Sequence, residues 1–508
     1  MDYTNIPLEK FKFANTEGRL TDKKIETKPV SYARDVWKRF CKNKSSVVAA
    51  CIIAFLLLFA IFVPIIFNTN YATSLRNPKI AHYNLLLPKC ELTADLGFWD
   101  GCSEKTVNKS QYLTWVALTE ETGVPVIKKV IRADYKDSSS TSNTTFYDLR
   151  VDSYYSNGMM YETITKEQYL DIQRWQNETG IQVIYPAVDR NKIPSHLKSD
   201  ANIWYECNQK GAPVLKGDEF KAVYLKVNSN DIYDSIRVEG DDGSYFYSHF
   251  VGTTDAPSYQ VRVLKYNYFQ YLFGHEPSFL FGTNARGQDI LTRLAAGARF
   301  SLVLAVCISA VNLFIGAIYG AIEGYYGGII DLVMERISDV LGGVPSMVVM
   351  SLFQLHLAAK VGPVWSLVFA FVLTGWLGMA GRTRMQFYRF KHQEYVLSAR
   401  TLGASDARLI FKHIFPNAMG TLITGSVLSI PGVIFSESSL TYLGIVNLES
   451  STQTSVGTLL SGGNSLLSTF PHVILFPALF ISLLMISFNL FGNGLRDAFN
   501  PSLKGVED

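Results

Sequence analysis

The chain has 508 residues and a formal net charge of only +3, with 48% hydrophobic and 18% charged side chains. So even a balance leaves no electrostatic footprint for nucleic acid, and the length allows two or more domains. The apolar residues are gathered into six runs without Asp, Glu, Lys or Arg, at 45–67, 300–322, 340–359, 361–381, 417–436 and 471–495. A stretch of roughly 20 such residues spans a bilayer core as a helix. Soluble proteins bury one run of this kind but rarely six, so the composition argues for an α-helical integral membrane protein with six spans.

In chain order, residues 1–44 form a basic tail with eleven Lys and Arg, Lys10 to Lys44, against six acids. The run 45–67 follows as the first transmembrane helix. It continues as "VPIIFNTNYATS" without a small-residue cleavage site, which predicts an uncleaved signal anchor. Orientation follows from Lys and Arg in the flanking loops. With six spans the tail lies on the same side as residues 382–413, which hold seven Lys and Arg against Glu394 and Asp406. The loop 445–470 on the other side has none, whereas the loop 323–339, with only Arg336 against four acids, runs against the trend. Both termini are therefore expected in the cytoplasm.

Residues 68–281 are polar, Tyr-rich and divided by turn signals such as "KDSSSTSNTT" and "EGDDGS". Period-two runs at "FKAVYLKVN", "DSIRVEG" and "SYQVRVLKY" predict strands, and "ITKEQYLDIQRWQNE" predicts a helix. The segment reads as an α+β extracytoplasmic insertion, with Ser138–Thr145 as a loop inside it. Cys90 and Cys102 are placed either to form a disulfide or to remain free thiols, and there is no CxxC pair.

Residues 282–508 form a five-span unit with short connections. "FIGAIYG", "LGGVPSM" and "LSIPGVIFSESS" put small residues and prolines inside the spans, where they permit close helix approach. Asp331, Glu335, Arg336 and Asp339 fall at helical spacing and read as a solvated or mutually paired helix start, and His356 as an interfacial histidine. Glu437, close to the outer end of the fifth span, faces either a subunit interface and pathway or the outer water boundary, since a lipid-facing carboxylate costs a few kcal/mol.

Between the fourth and fifth spans stands "EYVLSARTLGASDARLIFKHIFPNA". "EYVLSARTL" makes about two helical turns, Gly403 suits the left-handed residue that ends a helix, and Ser405 is positioned to cap a second helix with Asp406 near its positive end. Pro416 is expected to stop that second helix. The pattern predicts a helix, a small corner and a helix lying flat on the membrane surface. It serves either as an interfacial hairpin held to anionic lipid by Arg400, Arg408 and Lys412, or as a docking element for a cytoplasmic partner.

This stretch resembles the EAA loop of ABC importer permeases, in which E-A-A is followed by three residues, Gly, nine residues and I-x-L-P. Ala399, Gly403 and Pro416 match, whereas Leu397, Ser398 and His413 depart from the pattern. "FLFGTNARGQDILTRLAAGARFSLVLA" and "FNLFGNGLRDAFNP" resemble two further blocks of the dipeptide and oligopeptide branch, including Gly282, Asp289, Arg293, Gly492, Arg496 and Pro501. Together with "FSESSLTYLGI" around Glu437, the resemblance covers roughly residues 276–503 and points to the second of the two permease subunits. Its flanking sequences make the insertion an enlarged first external loop.

The resemblance implies a type I ABC importer permease core in a bacterial plasma (inner) membrane, carrying peptides. It implies four partner chains: a second permease subunit, two cytoplasmic ATPase subunits and an extracytoplasmic peptide-binding protein. Ser398, Ala399, Gly403, Ala404 and Ser405, within a coupling loop at 394–416, would dock on one ATPase. The chain has no GxxxxGK[ST] phosphate loop. It is therefore expected to be no enzyme and to bind no cofactor, with ATP and Mg handled by the partners. The same scaffold importing another small solute, such as nickel, is an alternative. A membrane-anchored surface receptor or adhesin is an alternative of a different class.

Overall fold

The order of the chain alternates charge-free runs that must be helical in lipid with one long polar excursion, and the fold follows that order. The computed structural model describes residues 32–66, 81–94, 96–136, 144–226, 245–253, 255–450 and 453–499. A short amphipathic helix, α1 (Tyr32–Lys42), leads into α2 (Lys44–Ile66), which is apolar on every side as a membrane span must be. Val36 and Phe40 of α1 pack on Ala498 near the far end of the chain. Both ends of the described chain therefore lie at one end of the bundle.

The excursion enters and leaves through one clamp. Thr283 N–H donates to Leu86 O at 2.9 Å, while the Thr283 hydroxyl donates to Tyr83 O at 2.6 Å and accepts from Leu86 N–H at 2.8 Å. Above it, β1 (Cys102–Asn108), α3 (Lys109–Thr122), β2 (Ile127–Lys136) and β3 (Thr145–Asp152) give an antiparallel sheet ordered β1-β3-β2. A second unit contains β4 (Met159–Ile164), α4 (Lys166–Thr179) and β5 (Ile184–Tyr185). After the small β6 (Leu215–Lys216)–β7 (Glu219–Phe220) hairpin it closes with β8 (His249–Phe250), β9 (Tyr259–Leu264) and α5 (Lys265–Phe273). The Arg262 guanidinium on β9 grips both carboxylate oxygens of Glu121 on α3, at 2.9 and 3.0 Å. The side chains are 0% and 2% exposed, so this pair welds the two units.

The expected α+β character is therefore present. The helix at "ITKEQYLDIQRWQNE" is α4, started by a capping box between Thr165 and Gln168, and "SYQVRVLKY" is β9. "FKAVYLKVN" is no continuous strand: past β7, Ala222, Tyr224 and Lys226 pair singly with Tyr205, Val188 and Tyr245. Each bridge goes to a different neighbour, so no ladder builds up. "DSIRVEG" and residues 138–143 lie outside the described residues. Cys90 and Cys102 are both free thiols.

The bundle resumes with α6 (Ile290–Tyr326), 37 residues or about 55 Å long, which overshoots the bilayer core at its ends. Next come α7 (Gly328–Gly342) and α8 (Ser346–His356), bent by 69° from one another. The run 340–359 thus straddles a break instead of forming one straight span: Pro345 lacks an N–H and pushes its predecessor out of helical geometry. The segment 323–339, expected as a loop, is mostly the helix α7. Then follow α9 (Pro363–Phe390), α10 (Glu394–Thr401), α11 (Asp406–Tyr442), the short α12 (Val456–Gly463) and α13 (His472–Phe499). Among the described residues five helices are long and apolar enough to cross a membrane, six if the bent pair counts as one span.

α6 packs closely on α9, and the sequence explains it. Gly316, Gly320 and Gly324 recur every fourth residue, forming a flat stripe along α6. A Cβ on Gly316 would lie 2.7 Å from Trp376 O, and one on Gly324 2.8 Å from Arg384 O. Backbone meets backbone there, which fixes the register of the two helices at the end where the corner sits.

Candidate coupling site

Gly403 ends α10 with φ +82°, a region that glycine enters without penalty. Gly403 N–H donates to Arg400 O at 3.0 Å, and Ala404 N–H donates to Ala399 O at 3.1 Å. This pair of bonds is the Schellman turn, and its usual apolar contact is present because Ala399 and Ala404 both half-bury in one cluster. Val396, Leu409, Ile410 and Ile414 complete that cluster against Ala321 and Phe387. Ser398, Gly403 and Ser405 face outward. The predicted set therefore divides: two alanines hold the corner onto the bundle, while two serines and the glycine present it. Leu402 beside them is 87% exposed, an apolar side chain left standing at the tip, with Phe411, Leu397 and Tyr395 exposed nearby.

Two expectations about this segment are corrected. Ser405 does precede the second helix in extended geometry, but its side chain makes no capping bond. More important, Pro416 does not stop that helix. Leu409–Ile414 form a π-helical turn in which Phe415 N–H reaches back to Ile410 O, and Pro416 falls in the opening turn of the α-helical segment that follows. A proline at such a position removes an N–H that has little use there. Hence the second arm does not lie flat as half of a hairpin. It runs on into the membrane as α11, so the corner is rigidly continuous with a span.

Side chains tie the corner to α6 as well. The Tyr325 hydroxyl donates to Asp406 at 2.5 Å and accepts from Arg400 at 3.2 Å. Arg400 is thus engaged within the chain instead of being free to anchor lipid. Lys391 Nζ donates to Gly324 O at 2.9 Å, and burial holds its ammonium below the usual lysine range. About two turns deeper, Arg384 of α9 meets Asp331 at 2.6 Å, Glu335 at 2.8 Å and Glu323 at 3.4 Å, and Tyr388 donates to Asp331 at 2.5 Å. The charged residues of α7 are therefore only partly paired among themselves: Arg336–Asp339 is such a pair, but Asp331 and Glu335 belong to Arg384.

Tyr325, Arg384 and Glu323 were not singled out from the sequence. Their contacts are separated by about 50 to 80 positions, and those of Arg384 follow from α9 lying on the glycine stripe of α6. The stripe itself was the available signal.

Glu437 lies far from the corner, toward the other end of α11. It is 1% exposed and accepts from Ser301 at 3.0 Å, Thr441 at 3.3 Å and Ser438 at 3.4 Å. It sits inside this chain where α6, α11 and α12 meet, and so not at the water boundary. Among the described residues no cation lies within ion-pair distance of it. Glu437→Leu strands the Ser301 and Ser438 hydroxyls, each worth about 1–3 kcal/mol when unsatisfied, while Thr441 keeps its bond to the Glu437 carbonyl at 3.0 Å; Glu437→Gln keeps an acceptor. The expected result is a clearly lower thermal unfolding midpoint for the leucine variant than for the glutamine one. Equal midpoints would assign Glu437 no bonding role.

Residues 312–505 match the family model of the binding-protein-dependent transport system inner membrane component, and residues 31–88 match the N-terminal transmembrane domain of oligopeptide transport permease C. The two models bracket the excursion. Over 224 residues the chain is 42% identical to an oligopeptide transport system permease protein of Bacillus subtilis, covering 44% of this chain and 72% of that relative. A dipeptide transport system permease protein of the same organism is 40% identical over 225 residues, with 44% and 69% covered. One from Lactococcus lactis is 35% identical over 288 residues, with 55% and 79% covered.

Proposed function

The chain belongs to the family of binding-protein-dependent transport system inner membrane components, and from that premise we propose that it is the permease subunit of an ATP-driven importer of oligopeptides or dipeptides. It supplies half of the translocation pathway and no catalytic chemistry. A second permease subunit completes the pathway, two ATPase subunits that bind ATP and Mg drive it, and an extracytoplasmic peptide-binding protein delivers the substrate. The end of the bundle carrying the corner faces the cytoplasm, in keeping with its seven basic residues at 382–413.

The observation that carries the coupling role is the continuity of the corner with α11 and its bonds to α6. A partner seated on Ser398, Gly403, Ser405 and Leu402 grips a rigid turn. Displacing that turn moves α11 directly, and moves α6 through Tyr325, Asp406 and Arg400. Packed helices switch between discrete arrangements instead of deforming smoothly, so an ATPase closing beneath the corner shifts the spans as bodies. Asp331, Glu335 and Arg384 carry the same push to α7 and α9.

Purification of the chain from native membranes in mild detergent tests the assignment. It should bring with it an ATPase pair and a second permease, with peptide-stimulated ATP hydrolysis in the presence of the binding protein. Isolation of the chain alone, or with partners that hydrolyse no ATP, would favour a simple surface anchor for the excursion.

A further inference from the structure

Between α9, α11 and α13, at the end of the bundle that carries the corner, is a cavity of about 450 Å³. One wall is Arg382, Met385, Gln386 and Arg389, the i, i+3, i+4, i+7 face of α9 opposite to Arg384. The facing wall is Thr421, Thr424, Gly425 and Leu428, the same spacing on α11, and Arg496 with Phe499 closes the third side. No lining residue is acidic. Among the described residues none of the three arginines has a carboxylate within ion-pair distance; Arg496 donates only to the neutral Asn493, at 2.8 Å.

The walls are built and not accidental. The Arg382 guanidinium lies over Gly425, 2.6 Å from where a Cβ would stand, so the missing side chain gives the cation its seat. Phe499 closes on Gly420 in the same way, at 2.9 Å. The cavity also extends along the helices. Arg389 and Thr421 stand at its corner end, and Arg382 and Leu428 lie seven residues or about 10 Å farther along their helices, toward the bilayer. Arginines at both depths beside the apolar side chains of Met385 and Leu428 suit an amphipathic anion better than a soluble one. Basic pockets between spans hold lipid headgroups by this chemistry, and guanidiniums pair with phosphate through two parallel hydrogen bonds.

We propose that this cavity binds the phosphate headgroup of an anionic phospholipid from the leaflet on the corner's side, with acyl chains running along Met385 and Leu428. The site is independent of the coupling role, and its occupancy is read without any transport assay. The intact complex, extracted in mild detergent and examined by native mass spectrometry, should retain phosphatidylglycerol through delipidation. The triple variant Arg382→Gln, Arg389→Gln, Arg496→Gln should retain it roughly tenfold less. Because three changes within the bundle could hinder assembly, the single Arg496→Gln on the exposed last turn of α13 is measured beside them and should lower retention several-fold. Arg336→Gln, on the exposed face of α7, should leave it unchanged. In nanodiscs, phosphatidylglycerol should raise the thermal unfolding midpoint of the wild-type complex and phosphatidylcholine should not. Equal retention by wild type and Arg496→Gln, equal stabilisation by the two lipids, or reproduction of the effect by inorganic phosphate alone would each overturn the proposal.

Discussion

Replacing Gly403 with valine is expected to abolish peptide uptake while leaving the chain inserted in the membrane. The residue sits at φ +82°, where an L side chain costs about 1–2 kcal/mol and a β-branched one more. A Cβ at Gly403 meets nothing within 4 Å inside the chain, so steric crowding within the fold contributes nothing. Two causes of lost uptake remain, backbone strain and collision with whatever seats on the corner, and a series of substitutions separates them. Gly403→Ala adds strain with little bulk, enough to depopulate the turn by roughly thirtyfold at the upper limit. Gly403→Asn adds bulk with little strain, because asparagine tolerates the left-handed conformation. If a partner occupies the corner, the asparagine variant should lose uptake by tenfold or more while still co-purifying as an inserted chain. Wild-type uptake by Gly403→Asn would mean that nothing is seated there.

Substituting Arg384 by methionine should produce the largest loss of stability in the bundle. Arg384 is the shared cation of Glu323, Asp331 and Glu335, and the Glu323 side chain is only 2% exposed. Removing one partner of a buried ionic cluster leaves charge without compensation, at a cost of about 3–5 kcal/mol. Arg384 is itself partly exposed, at 27%, which places the expected loss at the lower end, about 3 kcal/mol. The measurement is the thermal unfolding midpoint of the purified complex. The double variant Arg384→Met, Glu323→Gln should recover a substantial part of the loss, since neutralising the most buried acid removes its need for a counter-charge. Failure of that rescue would locate the effect of Arg384 in packing on α6 instead of in charge. Uptake should fall together with stability, because this cluster joins α7 and α9 to the spans next to the corner.

Much of this was legible in the residues themselves. Charge-free runs mark spans because lipid offers no partner for polar side chains, and that constraint is local to each run. The Schellman turn was legible at Gly403 for a similar reason: the need for a left-handed residue is a property of five or six neighbouring positions. Local rules failed where two requirements competed. Pro416 carries a strong stop signal, but the π turn before it absorbs the missing donor, so the helix continues into α11. At 340–359 the hydropathy was uniform and the break at Pro345 prevailed.

By itself, then, the sequence determined a multi-pass helical membrane protein with an α+β excursion and a small corner at Gly403, since hydropathy, helix period and backbone sterics act over a few residues. Tertiary structure alone decided the rest. It decided that the corner is one piece with α11, that Tyr325 binds it to α6 while Arg384 joins α9 to α6 and α7, and that Glu437 is enclosed by hydroxyls instead of facing water. The first depends on the π turn before Pro416 and the others on which helix faces meet, as where the glycine stripe of α6 lets α9 approach closely enough to bring Arg384 to Glu323.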